Sequence, residues 1–558
     1  MATEGIGAHR STSVPYRRII GPLATRDRHG PDKTVSLLRL VVFRSLLLAT
    51  FASNVGGWME DVGETWLMTS LHGTPLMVAL VQTSASLPVF LFALPAGTLA
   101  DIIDRRGLLL VTHVWMLLVA ALLGVLTITE HIGASGLLTC TFAMGIGSAL
   151  AGPAWQAVVA DVVPQGDLPR ATTLDGVAFN VGRVAGPALG GLIVARAGPG
   201  PTFLLNALSF VSVLAALLRW KRRHHPSVLP AERVWTGMRT GLRYVRDAPT
   251  LRALLIRTFT TLFFASALWA LLPSFVNRAL RSGTPSQYGT LLAALGAGAV
   301  ASAALVSRWR DRFGSDAVIM PAVLLLGAAI GGLALAPSLA WSALATFVAG
   351  SAWLTIVSTS TAAAQKSSAE WVRARALAVY ILVSEGAMAG GSVLWGWLAT
   401  RTSVRLAIGA AGMGVAASVG VAFARRLRDL DRIDRSPTEP YPIPDAPSGT
   451  DRDKTPVVVE VEYHVAAGNR AAFREALGAL GRGRRRTGAA MWIMTEDSQD
   501  PSRFVELFFL ESWNEHHRQH GRWTKHDEKV WHQVRSLVMP GTEPKVAHLL
   551  GLSSATVT

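Results

Sequence analysis

The sequence predicts an all-α membrane protein of twelve spanning helices in two six-helix halves, followed by a small water-soluble α+β domain. Three observations lead to this fold class: a deficit of charge, long apolar runs, and an uneven distribution of positive charge between loops. Only 16% of the 558 residues are charged, whereas soluble domains carry about 25%. The apolar residues fall in runs of roughly twenty, which as helices cross about 30 Å of hydrocarbon. In lipid, a helix is the only open structure that satisfies its own backbone hydrogen bonds. Each run is therefore expected to be a membrane-spanning helix.

The apolar runs give the positions of the helices. Those of the first half are expected at 44–70, 76–99, 108–129, 135–159, 173–196 and 202–220. Those of the second half are expected at 252–275, 287–307, 318–336, 340–361, 375–399 and 403–424. Charged residues in the first and fifth runs would hide these two helices from a simple hydropathy count.

The orientation follows from the basic residues between the runs. The loops after the even-numbered helices hold about 19 Lys and Arg residues, and the alternate loops hold about five. Both tails are basic as well. Because positive loops are retained in the cytoplasm, both termini are expected on the cytoplasmic side of the cell (inner) membrane.

The predicted domain organisation has six parts. They are a disordered basic tail (1–42), an N-terminal six-helix bundle (43–220), a cytoplasmic loop (221–250), a C-terminal six-helix bundle (251–425), a proline-rich linker (426–454) and a soluble domain (455–558). The loop contains an amphipathic segment, Ala231–Ala248, with Arg residues on one side and apolar residues on the other. This segment suits the lipid headgroup layer, and it could equally be a cover helix packed on the bundle.

The C-terminal domain has the pattern strand, helix, strand, strand, helix, strand. The strands are expected at 457–465, 489–494, 503–509 and 545–550, and the helices at 470–484 and 513–538. This order is typical of a ferredoxin-like α+β fold. His516 and His520 share a face of the second helix as metal ligands would. Since no Cys or carboxylate at close spacing completes a site, solvated histidines are expected and no metal or cofactor is predicted.

Composition excludes several classes of function. The formal charge of +16 could suggest a nucleic-acid partner, but the Arg residues cluster between apolar runs, so no nucleic acid is expected. Cys140 is the only cysteine, so an intramolecular disulfide cannot form. No phosphate-binding P-loop and no hydrolase arrangement of Ser, His and Asp is found in the sequence.

Ionisable residues inside the spans are costly and are therefore candidate functional residues. The outer half of the first helix holds Glu60, Asp61 and Glu64, and Arg183 and Glu385 lie near the middle of helices five and eleven. Clustered carboxylates in a low dielectric repel each other, which favours proton binding. Coupling to a proton gradient by Asp61, Glu64 or Glu385 is one hypothesis, and solvated acids in the headgroup layer are the alternative. Arg183 could compensate an emptied carboxylate or bind an anionic substrate. Four further side chains could line a cavity, with plain packing as the alternative: Asn54, Trp58, Asn180 and Asn206.

The two halves repeat, and one repeated element has the form of a gate. The segment Gly97-Thr-Leu-Ala-Asp101-Ile-Ile-Asp104-Arg105-Arg106 closes helix two and resembles the loop signature of the major facilitator superfamily. That resemblance implies a gating role at the cytoplasmic helix ends. A solvated positive loop is the alternative.

A second motif lies in helix five. The segment Gly182-Arg183-Val-Ala-Gly186-Pro187-Ala-Leu-Gly190-Gly191 resembles the antiporter signature of superfamily exporters, although Thr173 replaces a more distant glycine of that signature. The glycines permit close helix approach and the proline bends the helix. Export is therefore implied, with plain helix packing as the alternative.

Further segments sharpen the resemblance. Ser53–Met59, Phe179–Arg183, Glu370–Leu377 and Trp395-Gly396 are similar to transmembrane secretion effectors, to which enterobactin exporters are more distantly related. The resemblance extends into the C-terminal domain, which is also similar to antibiotic-biosynthesis-monooxygenase domains. Such domains often pair their sheets, so this domain is expected to dimerise.

The sequence therefore predicts a proton-coupled exporter of a small amphipathic metabolite, drug or siderophore, acting by alternating access and not as an enzyme. Two alternatives remain: an enzyme anchored to a transporter-like scaffold, and a non-transporting assembly or signalling partner. The sequence does not identify the cargo, the coupling ion or the oligomeric state.

Overall fold

A computed structural model of the protein describes residues 37, 39–71, 73–164, 167–220, 234–280, 283–427, 430, 434–438, 446 and 450–551. Most of the predicted tail, loop residues 221–233 and much of the predicted linker lie outside the described residues.

The first half consists of six long helices. They are α1 (Val41–Ser70), α2 (Pro75–Ile102), α3 (Arg105–Ile128), α4 (Ala134–Val162), α5 (Leu168–Ala197) and α6 (Gly200–Arg219). Their starts follow ordinary capping chemistry: the Thr74 side chain accepts from the backbone N–H of Met77, and Asp104 does the same for Gly107.

A short helix, α7 (Val234–Arg246), connects the halves. The second half then consists of α8 (Pro249–Ala279), α9 (Pro285–Phe313), α10 (Ser315–Ala334), α11 (Leu339–Lys366), α12 (Arg373–Arg401) and α13 (Val404–Ala424). A 3₁₀ turn, Glu370–Val372, precedes α12.

Among the described residues, ten helices are long and apolar enough to cross a membrane, or eleven when Pro285–Ala303 and Leu305–Phe313 are taken as one span. Helix α1 has the length of a span but carries Arg44 and three carboxylates. Twelve crossings therefore remain a prediction, whereas the predominantly helical membrane fold is present.

The halves pack together along α5 and α9 and along α2 and α12. The core of the second half continues into the first through Val62, Ala79 and Val194. Helices α5 and α9 approach so closely there that a methyl group on Gly191 would lie 2.8 Å from the Cα atom of Gly289. Only glycine fits such a crossing, so this pair fixes how closely the halves meet.

The glycine contacts also show the predicted repeat. Gly190 of α5 packs against the backbone of Met59 in α1. Gly391 of α12 packs in the same way against the carbonyl oxygen of Phe263 in α8. The Gly-Gly pair of each half therefore holds an equivalent pair of helices together.

The C-terminal domain is a four-stranded antiparallel sheet covered by helices on one face. Its elements are β1 (Val457–His464), α14 (Arg470–Thr487), β2 (Met491–Glu496), β3 (Arg503–Leu510), α15 (Trp513–Gly521), α16 (Lys525–Ser536) and β4 (Lys545–Leu550). The strand order is β2-β3-β1-β4. The single helix predicted over 513–538 was wrong, because the Thr524 side chain caps a new helix there.

This domain contacts α7 and the 3₁₀ turn, at the end of the bundle called here the domain side. Arg243 of α7 donates to the carbonyl oxygen of Gly488 at 2.8 Å, and Asp247 accepts from Arg485 at 3.3 Å. The Arg522 guanidinium lies 4.6 Å above the ring of Trp371.

Helix α7 itself lies on the bundle. Tyr244 is buried in one apolar cluster with Val372 and Ala376, and Leu94 of α2 packs against the same cluster. Of the two predicted interpretations, the described part of α7 therefore fits the cover helix.

Candidate functional site

The three carboxylates of α1 point in two directions. Glu60 and Glu64 are 5% and 4% exposed and face the interior of the first half. Asp61 is exposed and lies beside Tyr288 of α9. The i,i+4 spacing of Glu60 and Glu64 explains why they share one face. The predicted acidic cluster is thus divided between a buried pair and a residue at the junction of the halves.

Each member of the buried pair has polar neighbours from another helix. The Asn206 side chain of α6 donates to one oxygen of Glu60, while the other oxygen, Oε1, has no partner among the described residues. Glu64 lies near Thr141 of α4. No cation contacts either carboxylate in the described structure. The pair is therefore neutralised by neither Lys nor Arg.

Arg183 of α5 lies between two tryptophans. Its guanidinium is 5.6 Å from the ring of Trp58 in α1 and 5.5 Å from the ring of Trp269 in α8. The residue is 6% exposed, and its Nε and Nη2 atoms have no hydrogen-bond partner among the described residues. Its carbonyl oxygen lies against Gly296 of α9. Arg183, which the sequence places near the middle of its helix, thus lies at the junction of the halves, and its functional role stays a prediction.

The glycine motif around Arg183 seats α5 on α1. Methyl groups on Gly182 and Gly186 would lie 3.0 Å and 2.5 Å from the Cβ atoms of Asn54 and Trp58. Pro187 lies within the same helix. These contacts show close packing, while the antiporter role of the motif stays a prediction. They also fix Trp58 against the Arg183 side of α5.

Glu385 belongs to a different polar group. It lies in α12 and interacts with the Ser86 hydroxyl of α2. The Gln82 side chain donates to the same hydroxyl at 3.1 Å. Glu385 therefore forms a polar contact across the two halves, separate from the carboxylates of α1.

The gate-like segment has local partners. Arg105 donates to Asp161 of α4 at 3.0 Å, and Arg106 donates to the carbonyl oxygens of Leu217 and Leu218 of α6, both at 2.9 Å. Asp104 caps α3. The Asp101 side chain and the surroundings of Gly97 lie outside the described part of the structure. The described contacts tie α3 to its neighbours in the first half, and the gating role stays a prediction.

The small domain holds a histidine cluster. The His516 ring lies 4.7 Å from the His520 ring and 5.0 Å from the ring of His548 in β4. Burial, together with the neighbouring His520 and His548, lowers the pKa of His516 to about 3. His517 is exposed and outside this cluster. Among the described residues, no group of three or more His, Cys, Asp or Glu side chains could hold a metal ion.

A buried charged network lies elsewhere in the same domain. Glu506, which is fully buried, accepts hydrogen bonds from Tyr463 at 2.8 Å, from Trp492 at 2.9 Å and from Arg484 at 3.4 Å. Both carboxylate oxygens are satisfied. Such a network holds the core of the domain together.

Several residues of these sites were not recognised as candidates in the sequence. Trp269 and Trp353, whose rings are 5.6 Å apart, bring the aromatic groups of the second half to Arg183. A usable signal existed, because tryptophans normally concentrate at the membrane interfaces and these two lie well inside their helices. Ser86 and Gln82 gave no comparable signal.

Two helical halves joined through glycines, with unpaired ionisable side chains at and near their junction, form the architecture of a membrane transporter. Residues 33–556 match the model of the transmembrane secretion effector family. The chain belongs to this family of major facilitator transporters.

Similar proteins agree with this class. The multidrug efflux pump Tap of Mycolicibacterium fortuitum is 27% identical over 406 residues, covering 69% of this chain and 96% of the pump. The staphyloferrin A transporter of Staphylococcus aureus is 29% identical over 171 residues, covering 30% of this chain and 43% of that protein.

A bacterial homologue of the human lysosomal transporter Spinster, solved in an inward-facing and occupied conformation, matches with a TM-score of 0.54 and 15% identity, covering 73% and 98% of the two chains. At this identity the likeness shows the fold alone. The predicted transporter class is confirmed. The enterobactin-exporter and monooxygenase resemblances stay predictions.

Proposed function

We propose that this protein is a proton-coupled exporter in the cell (inner) membrane, with both termini and the domain side facing the cytoplasm. Its cargo is a small amphipathic metabolite, drug or siderophore. Similarity to an efflux pump and to a siderophore transporter supports this function, and the excess of basic residues in alternate loops supports the orientation.

The buried pair Glu60 and Glu64 carries the proposal of proton coupling. Two carboxylates on one helix face, with no cation beside them among the residues described, repel each other strongly in a low dielectric unless a proton neutralises one of them. Proton loss from the pair therefore has to accompany a rearrangement of the helices around it. Asn206 holds Glu60 in place through both states.

Asp61 and Glu385 take a second role in the cycle. Both lie where the halves face each other, beside Tyr288 and Ser86 respectively. When the halves tilt, these contacts break and re-form. Asp61 and Glu385 thus link the protonation of Glu60 and Glu64 in the first half to the orientation of the second half.

The test is release of metabolites by cells that lack the gene. Untargeted comparison of internal and released metabolites should identify a compound that is retained in the deletion strain and released again when the wild-type gene is restored. We expect Glu64→Gln, Glu60→Gln and the double variant Asp61→Asn with Glu385→Gln to release no more than the deletion strain. A protonophore should have the same effect on cells that carry the wild type.

A matched control is Glu130→Gln, because Glu130 is an exposed acid at the end of α3. This variant should release the compound normally. Release that persists in all three acid variants and in the presence of a protonophore would remove proton coupling from the proposal.

We also propose that the small domain pairs with a second copy of itself through the open face of its sheet. Met491, Ile493 and Leu549 on this face are 53%, 39% and 49% exposed, an apolar surface that water disfavours. An Ile493→Cys variant should form a disulfide-linked dimer in oxidised membranes, with the wild type as control because its Cys140 is buried. A purely monomeric variant under these conditions would contradict the pairing.

A further inference from the structure

Arg183 carries a buried charge that the described structure does not neutralise. Burial at 6% exposure removes water, and no residue that the structure describes forms a hydrogen bond with the Nε or Nη2 atom. Desolvating a guanidinium without a counterion is costly. A buried arginine of this kind is tolerated where a ligand, or an acidic residue in another conformation of the protein, supplies the anion. The two free donors lie on a planar fork that matches a carboxylate.

Tryptophans from two other helices contact this guanidinium, and two further rings pack against those tryptophans. Trp58 of α1 and Trp269 of α8 lie against it, with their rings 6.1 Å apart. Trp353 of α11 packs against Trp269, and Phe179 of α5 packs against Trp58. The rings thus come from both halves and form a flat apolar surround for a group bound to Arg183.

Two more polar atoms near these rings lack partners within the described part of the chain. The Asn180 side chain, one turn before Arg183 in α5, donates to the Gly176 carbonyl at 2.7 Å, but its Oδ1 atom accepts from no described group. The indole Nε1 of Trp269 is likewise without one among the described residues. Ligand sites combine apolar walls with a few such polar groups, which fix the orientation of the ligand.

We propose that Arg183 and Asn180 bind the anionic end of an aromatic substrate, and that Trp58, Trp269 and Trp353 contact its ring. The substrate class is a flat aromatic acid, such as an aryl carboxylate, with its anion on Arg183 and its ring among the tryptophans. A hydroxyl or N–H group next to the anion is the natural donor to Asn180. This assignment rests on the proposed function, since it names the substrate class of that exporter.

The experiment measures equilibrium binding to the purified full chain in detergent, by calorimetry, with no proton gradient present. The probe is 1-hydroxy-2-naphthoate, and its neutral counterpart is 2-naphthalenemethanol. We expect saturable binding of the anion and no measurable binding of the alcohol. Because no gradient is involved, a failure here is distinct from a failure of proton coupling in cells.

Variants locate the site. Arg183→Gln should weaken binding of the naphthoate by about tenfold to hundredfold, the usual value of a hydrogen bond to a charged group. Arg183→Lys keeps the charge but not the planar fork, so its loss should be smaller. Trp269→Leu should weaken binding too, whereas Trp341→Leu should not, because Trp341 lies on the outer surface of α11 at 49% exposure.

The proposal is overturned by absence of naphthoate binding to the wild type, which is the outcome if a carboxylate of this chain is the counterion of Arg183. Equal affinity for the neutral alcohol, or unchanged affinity of a folded Arg183→Gln protein, would also overturn it. If Arg183→Gln does not fold, the anion-to-alcohol comparison and the two tryptophan variants decide the question.

Discussion

The small domain and the membrane bundle treat buried charge in opposite ways. In the small domain, the buried Arg484 and Arg522 are paired with Glu506 and with Glu515 (at 2.5 Å), and the half-buried Arg486 is paired with Asp527. In the bundle, Arg183 and one oxygen of Glu60 have no hydrogen-bond partner among the described residues. A buried charge with an ion-pair partner stabilises one structure. A buried charge without a partner is costly, and binding of a ligand or a proton can remove that cost.

The bundle also contains a matched pair, which sharpens this contrast. Arg257 of α8 is 2.5 Å from Asp316 at the start of α10, and Asp316 also accepts from the backbone N–H of Leu427. This pair lies at the domain side and not among the aromatic rings at the junction. Within the bundle, position therefore distinguishes the paired Arg257 at the domain side from Arg183 at the junction, for which we propose a role in ligand binding.

The largest expected effect comes from breaking a matched pair. Arg484→Gln leaves Glu506 buried without its cation, which should lower the free energy of unfolding of the small domain by about 3–5 kcal/mol. Hydrogen–deuterium exchange of peptides 457–550 in the full-length protein would show this as a loss of protection.

Arg183→Gln is the matching test in the bundle, because it removes a buried arginine that has no ion-pair partner among the described residues. Removing an unmatched charge should leave the thermal stability of the bundle unchanged or raise it, although ligand binding is lost. The double variant Arg484→Gln with Glu506→Gln should recover part of the lost protection. If Arg183→Gln proved as destabilising as Arg484→Gln, the two regions would not differ in the way proposed.

A smaller effect is expected on acidification. The pKa of His516 is about 3 in the folded domain because of burial and its neighbouring histidines, and about 6.5 in the unfolded chain. The unfolded state therefore binds the proton first. Stability falls as the pH drops from about 6.5 towards 3, by about 1.4 kcal/mol for each pH unit well below 6.5.

Exchange measurements at pH 7 and pH 5 would test this dependence. Replacing the buried ring by an apolar one, in His516→Phe, should flatten the loss of protection between the two values. His517→Asn is the control, because His517 is exposed on the same helix, and it should behave as the wild type. An identical pH response in all three proteins would assign the acid sensitivity to other groups.

The sequence could predict the helices because each has its own apolar run, and their predicted ends lie within a few residues of the observed ones. It also predicted that Glu60 and Glu64 share a face, since that follows from helical spacing alone. By contrast, the partner of Glu60 is Asn206, on a helix far along the chain. No local pattern indicates which helix will face which.

The small domain shows the same limit. Sequence spacing paired His516 with His520 and left the third member of the cluster unknown, because His548 arrives from β4 through the sheet register. The ion pairs of Arg484, Arg486 and Arg522 could not be predicted either, because tertiary packing and not local spacing selects their acidic partners. The break between α15 and α16 was readable, however, since Thr524 and Asp527 form a capping box within four residues.

Helix α7 touches both halves, through Leu94 of α2 on one and Val372 and Ala376 on the other. A helix that contacts two halves which tilt against each other must move relative to at least one of them in every turnover of the proposed cycle. The small domain is bonded to α7 and to the residue after it through Arg243 and Arg485, so we expect the domain to move with the helix. Each turnover of the proposed cycle is therefore expected to displace the small domain, and a dye on its sheet could follow that displacement without disturbing the spans.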